Sequence, residues 1–255
     1  MVDHVLTSYQ SRLDAWRFEA FDGVFPRGSL GDLSPKFHPS GAAKSFYGLT
    51  VVAFIDRDSE LYQKLGDFQN RIKTALKKAS LESTFSFLDP ISFHMTLCDI
   101  AASPTPIPIP YAERIIQTAR EIFPQLGKYP DLSCKLTNMG VDISLLLLAQ
   151  FETEACLKDC LTLEKRLKDG LEVDERSFLG HVSLAYFVKP LGSEIEQIKN
   201  TLRPFSREAL GKFPITKISL CSFRDMNNYT PLMSIDLLDG TFNDYSRTID
   251  FSTLQ

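Results

Sequence analysis

Ser92-Phe93-His94-Met95-Thr96-Leu97-Cys98-Asp99-Ile100 and Phe178-Leu179-Gly180-His181-Val182-Ser183-Leu184-Ala185-Tyr186-Phe187-Val188 are the two stretches that decide the fold. Both are apolar and β-branched or aromatic enough to read as strands. Side chains alternate across a strand, so His94 shares a face with Thr96, and His181 with Ser183. Phe93, Met95 and Leu97 point the other way, as do Val182 and Leu184. Each stretch is a strand with an apolar back and an imidazole beside a hydroxyl on its front.

The same order of elements surrounds both. In the first half, Phe46 to Ile55 (FYGLTVVAFI) reads as a strand, and Asp56 to Asp58 opens a helix in which Leu61, Leu65, Phe68, Ile72 and Leu76 recur at three or four. The His94 strand follows, is stopped by the proline-rich stretch 104 to 110, and gives way to a helix over Tyr111 to Phe123 and a strand over Leu132 to Asn138. In the second half, Val141 to Gln150 reads as a strand and Glu152 to Leu167 as a helix. The His181 strand comes next, then a helix over Ser193 to Leu202 and two strands over Pro214 to Phe223 and Leu232 to Leu238. His181 follows His94 by 87 residues, too long a period for a solenoid. The pattern predicts an α+β fold of two pseudo-symmetric lobes, packed face to face, with antiparallel-rich sheet, outer helices and a central cleft. The expected boundaries are an N-terminal extension, residues 1–44, and a bilobal domain, residues 45–255, built from an internal duplication with approximate halves 45–140 and 141–240. The extension is rich in Gly, Pro, Ser and charge, with one short amphipathic helix over Tyr9 to Phe21, and reads as a segment laid over the core.

Composition narrows the function. The chain has 255 residues, 44% of them hydrophobic and 24% charged, which suits a folded core and excludes a disordered or fibrous protein. No run approaches the roughly 18 apolar residues of a membrane helix, and the N-terminus lacks a basic segment followed by an apolar one, so a cytoplasmic protein without membrane contact is expected. Twenty-eight Lys and Arg against 32 Asp and Glu give a net charge of −4, which argues against coating long nucleic acid and leaves room for a local site for one nucleotide. The five cysteines, at 98, 134, 156, 160 and 221, form neither paired metal knuckles nor a disulfide scaffold. Cys156 and Cys160 sit one helical turn apart and read as packing residues.

Of the four histidines, three precede a hydroxyl by two residues: His38-Pro39-Ser40, His94-Met95-Thr96 and His181-Val182-Ser183. His38 lies in the loop-like extension, where no face is defined, and is a decoy. The other two triplets occupy equivalent strands of a duplicated pattern, so folding is expected to bring two imidazoles and two hydroxyls to one cleft. Opening a cyclic phosphate needs a water deprotonated on one side of phosphorus and a leaving oxygen protonated on the other. His94 and His181 can divide those roles, in either assignment, while Thr96 and Ser183 donate to the non-bridging oxygens as charge builds. That chemistry needs no metal, and the sequence offers no spacing that would hold one.

Paired His-x-Ser/Thr-hydrophobic motifs, here His94-Met95-Thr96-Leu97 and His181-Val182-Ser183-Leu184, make the chain resemble the 2H phosphoesterase superfamily, the LigT-like cyclic phosphodiesterase fold, over about residues 36 to 240. The segments Lys36-Phe37 to Gly41, Phe46-Tyr47-Gly48 to Val52, and Phe87-Leu88-Asp89-Pro90 to Ser92-Phe93-His94-Met95-Thr96 are similar to its DUF1868-type branch. The resemblance implies a 2′,3′-cyclic phosphodiesterase acting without cofactor on a small nucleotide or a short cyclic-phosphate RNA end, with no obligate protein partner evident. Tyr47, Tyr186, Arg224 and Tyr229 are candidates for the cleft wall, to stack a base or touch phosphate, and Lys36 for a cation supplied by the extension folding over the cleft.

Three rivals share these residues: a non-catalytic nucleotide- or RNA-binding module, a 2′,5′ RNA end ligase, and a cysteine-nucleophile enzyme. The last rests on Cys98, which strict alternation puts on the face of His94. Four residues along a strand span about 13 Å, which separates them beyond direct contact and makes Cys98 a packing residue.

Overall fold

The computed structural model describes residues 2–21, 35–173, 178–189 and 191–246. An N-terminal helix, α1 (Val2–Trp16), leads into a 3-10 turn at Phe18–Ala20. It begins earlier than the expected Tyr9 to Phe21 helix and stops before Phe18. β1 (Tyr47–Phe54) follows, then α2 (Glu60–Lys78), whose Ser59 hydroxyl caps it by accepting from the Tyr62 N–H at 3.1 Å. The positions expected to recur, Leu61, Leu65, Phe68, Ile72 and Leu76, are all buried. β2 (Phe85–Phe87), β3 (His94–Ser103), α3 (Ile109–Ile122) and β4 (Ser133–Val141) complete the first part of the chain. β5 (Ser144–Gln150), α4 (Glu154–Leu171), β6 (His181–Phe187) and α5 (Ile195–Leu202) repeat the order. β7 (Ala209–Pro214), β8 (Lys217–Phe223), β9 (Tyr229–Asp236) and β10 (Phe242–Asp244) close it. β2, β7 and β10 are additional to the expected strands. Two of them are three residues long and β7 carries Gly211 at φ 136°, so none shows a sustained period-2 pattern.

The fold is α+β with an antiparallel sheet, as expected. The ten strands among the described residues form one sheet in the order β10-β9-β8-β1-β3-β6-β5-β4-β7, with β2 added on β6. The seam between β3 and β6 is a single antiparallel pair, Met95 with Val182. The two wings therefore join edge to edge, where face-to-face packing was expected. Nor is each wing one half of the sequence. β4, which lies in the first half but for its last residue, pairs with β5 and β7 in the wing of β6, while β8 and β9 return to pair beside β1 in the wing of β3. The halves 45–140 and 141–240 thus exchange strands, because antiparallel partners are chosen by which apolar face is left to cover, not by chain order.

Outside the sheet α3 packs on α4, α4 on β3, and α2 on α5 and β7. Gln69 of α2 is buried and spends both amide hydrogens on main-chain carbonyls, those of Leu88 at 2.8 Å and Leu184 at 2.9 Å. That pair of bonds fixes the loop before the His94 strand against the His181 strand.

β3 is not a regular strand. Against β1, Thr96 faces Val52 and Cys98 faces Val51, leaving Leu97 as an extra residue, and Asp99 faces Thr50 while Ala101 faces Leu49, leaving Ile100 extra. Each bulge reverses the alternation beyond it.

Candidate active site

The seam sets the site. Met95 and Val182 are the middle residues of the two triplets and are fully buried. Antiparallel continuation from that pair puts His94 level with Ser183 and Thr96 level with His181, so each imidazole stands by the other strand's hydroxyl. In a regular ladder the two histidines are then diagonal neighbours, with about 7–8 Å between them. His94, Thr96, His181 and Ser183 line one cavity of about 380 Å³.

Both rings are held in the same way. Nδ1 of His94 lies 2.6 Å from the Ser92 carbonyl oxygen, and Nδ1 of His181 lies 2.9 Å from that of Leu179. A carbonyl oxygen only accepts, so in each ring Nδ1 carries the proton and Nε2 is left for chemistry. The carbonyl two residues earlier is available because the strands begin at the histidines themselves: Ser92 closes a 3-10 turn capped by Asp89, and Leu179 and Gly180 precede β6. Desolvation pushes the pKa of His94 down to about 4, with the neighbouring His181 acting in the same direction, against the Ser92 carbonyl and Asp99, which favour the proton. His94 is therefore neutral across the physiological range. Its ring is flanked by Tyr229, centroids 4.6 Å apart, and by Phe54 edge-on at 5.9 Å.

Among the weaker candidates, Lys36, Tyr186 and Tyr229 line the same cavity. The Lys36 ammonium sits 5.1 Å from the Phe46 ring centroid and 5.8 Å from that of Tyr186, a cation carried to the cleft by the extension. Tyr186 is hydrogen-bonded to the Ser183 side chain, and burial pushes its phenol up to about 12, so it keeps its proton as a donor. Burial likewise raises the Tyr229 phenol well above its usual range. Tyr47 and Arg224 are outside the cavity lining. Tyr47 is three residues from Thr50 on β1 and takes the opposite face, so the cavity meets Phe46 and Thr50 in its place. Arg224 is exposed and contributes its carbonyl, which accepts from the Phe46 N–H at 2.7 Å. His38 is exposed in a turn closed by the Gly41 N–H donating to its carbonyl, away from the cavity.

The bulges of β3 correct one expectation. Cys98 does not share the face of His94: it is buried, and desolvation lifts its thiol to about 12. Asp99 takes the place instead and lines the cavity with Thr96. Thr50, the one aliphatic hydroxyl within β1, also lines it, its hydroxyl donating to the Cys98 carbonyl at 3.1 Å. A lone threonine in an apolar strand was a legible signal; the shift to Asp99 was not. Cys156 donates to the Asp131 carbonyl at 3.4 Å, Cys160 is buried, and no group of three or more metal-ligating side chains gathers among the described residues.

Residues 36–105, which include Lys36 and the first triplet, match a family described as 2H-phosphodiest, a domain of unknown function (DUF1868). E. coli LigT in its apo form is similar in structure over 77% of this chain and 100% of its own, with 13% identity and a TM-score of 0.50. The fold is LigT-like. A conserved protein of unknown function from Agrobacterium tumefaciens, ATU0111, shares this LigT-like arrangement over 87% of this chain and 97% of its own, at 17% identity and a TM-score of 0.58. TT0787 of Thermus thermophilus does so over 74% and 97%, at 14% identity and a TM-score of 0.50. No curated protein matches the chain by sequence. In this LigT-like fold the second triplet lies beyond the 36–105 match, and the β3–β6 seam is what brings it to the first. No described helix is long and apolar enough to cross a membrane.

Proposed function

We propose that the chain is a phosphodiesterase that opens a cyclic phosphate, of a 2′,3′-cyclic nucleotide or a short RNA end, by general acid and base catalysis with two histidines. One observation carries the reading: two imidazoles, each with Nδ1 committed to a carbonyl two residues back, share a single cavity with the hydroxyls of both triplets. His94, neutral at pH 7, takes the water proton on Nε2 as the water oxygen attacks phosphorus. The bond from phosphorus to one ribose oxygen breaks, and His181, as the imidazolium, protonates that oxygen from its own Nε2. Thr96, Ser183 and the phenol of Tyr186 donate to the non-bridging oxygens, and Lys36 offsets their charge. The step balances with water alone as co-reactant. A cavity of about 380 Å³ suits one nucleotide or a terminal one, in keeping with the acidic chain.

The test is turnover of 2′,3′-cyclic nucleotides, oligonucleotides ending in a cyclic phosphate, and ADP-ribose cyclic phosphate by wild type, His94→Ala and His181→Ala, with and without EDTA. Each replacement is expected to lower kcat on the order of 10²- to 10⁴-fold for whichever compound is hydrolysed, and EDTA to have no effect. Undiminished turnover in both variants, or a strict need for a divalent metal, overturns the proposal.

A further inference from the structure

The 2H-phosphodiest match begins at residue 36, yet the N-terminal helix before it reaches the second catalytic strand. Trp16, 6% exposed, sets its ring centroid 5.7 Å from that of His181, with the planes at 47°. It lies outside the cavity lining and so backs the imidazole without occupying the substrate's space. The contact is fastened on both sides. Arg17 bridges to Gly140, where a side chain would bring Cβ to 2.9 Å from the Trp16 carbonyl oxygen. About two helical turns upstream, the Tyr9 hydroxyl donates to the Ala149 carbonyl at 2.9 Å, and its ring stacks on Phe178 at 6.3 Å. The Ala149 N–H in turn donates to the Gly180 carbonyl at 2.9 Å. α1 therefore grips the run Phe178 to Gly180, whose Leu179 carbonyl holds Nδ1 of His181.

We propose that Trp16 is a positioning residue for His181, bracing the ring and favouring its imidazolium form. The negative face of an indole within about 6 Å of a cation attracts it, whereas an aliphatic side chain of similar bulk braces the ring with no preference for charge. The proposal deepens the acid role given to His181 above. The titratable groups that share the cavity with that ring are His94 and Asp99 of β3, Tyr186 of β6, Tyr229 of β9, and Lys36, Tyr111 and Glu172 from the flanking segments, and on the side of α1 stand Tyr9 and the Arg17–Asp14 ion pair. Replacing Trp16 changes none of them.

The experiment is an NMR titration of the histidine ring protons in the full-length protein, comparing wild type with Trp16→Leu and Trp16→Phe. Trp16→Leu is expected to move the His181 midpoint down by roughly half a pH unit, Trp16→Phe by less, and neither to move His94. In turnover the alkaline limb of kcat/KM shifts by the same amount and the acid limb stays. A His181 midpoint unmoved in a folded Trp16→Leu protein overturns the proposal, even where activity drops, since a purely structural prop lowers the rate without shifting the titration. If Trp16→Leu does not fold, Trp16→Phe alone decides it, a downward shift in support and none against. The titration needs no substrate, so a moved midpoint in a protein that hydrolyses nothing sinks the hydrolase reading and leaves this coupling standing.

Discussion

At the scale of the residue, the two histidines differ less in their hydrogen bonds than in what surrounds them. His94, between Tyr229 and Phe54, titrates near 4 in the folded protein against 6.5 for the unperturbed ring, with desolvation the first cause. The folded-state value is depressed, so protonation favours the unfolded chain. The stability that comes from keeping this ring neutral is complete above pH 6.5 and is lost as pH falls from there through 4, by at most about 1.4 kcal/mol per pH unit. Urea midpoints measured at pH 7 and 4.5 are expected to fall further for wild type than for His94→Gln; equal falls contradict the assigned shift. In turnover the same ring gives an acid limb in kcat/KM that appears only as pH approaches 4. The identity of these two histidines and their hydroxyl neighbours was legible in the sequence, because a triplet repeated at equivalent strands is visible without coordinates. Their unlike surroundings were not, because Phe54, Tyr229 and Trp16 come from distant segments.

At the scale of the element, the strand over the first triplet was legible and its continuation was not. Period-2 alternation placed His94 and Thr96 on one face and Met95 in the core, and the structure agrees. The bulges at Leu97 and Ile100 then exchange Cys98 for Asp99 at the cavity, since one inserted residue turns every later side chain over. A bulge depends on what the neighbouring strand demands, and β1 shows no mark of it in its own sequence. The approach to the second triplet is tighter. A Cβ on Gly180 would come to 2.8 Å from the Ala149 Cβ and 3.1 Å from the Met95 sulfur, at the seam of the two wings. Gly180→Ala is expected to cost about 1–3 kcal/mol in denaturant unfolding and to lower kcat beyond the effect of stability at 25 °C, by pushing His181 off the seam. Wild-type stability and turnover in that variant would mean that the two strands yield there at no cost.

At the scale of the whole molecule, one sheet runs through both wings, and each wing borrows strands from the other half of the chain. β1 has β8 as its outer partner, and β4 lies between β5 and β7. A fragment of residues 45–140 is therefore expected to remain unfolded by circular dichroism and amide dispersion, lacking the cover of β8 on β1. The intact chain is expected to unfold in one transition, and two resolved transitions would show that the wings are independent. Taken by itself, the sequence determined the α+β class, the order of the main elements and the two triplets, because these follow from short-range periodicity, and from a histidine two residues before a hydroxyl recurring in like surroundings. Only the tertiary structure decided that the wings meet at Met95 and Val182, that strands cross between halves, that Asp99 replaces Cys98, and that a tryptophan from α1 stands behind His181. Those outcomes depend on which distant apolar faces bury one another and in which register, and no local stretch of chain carries that information.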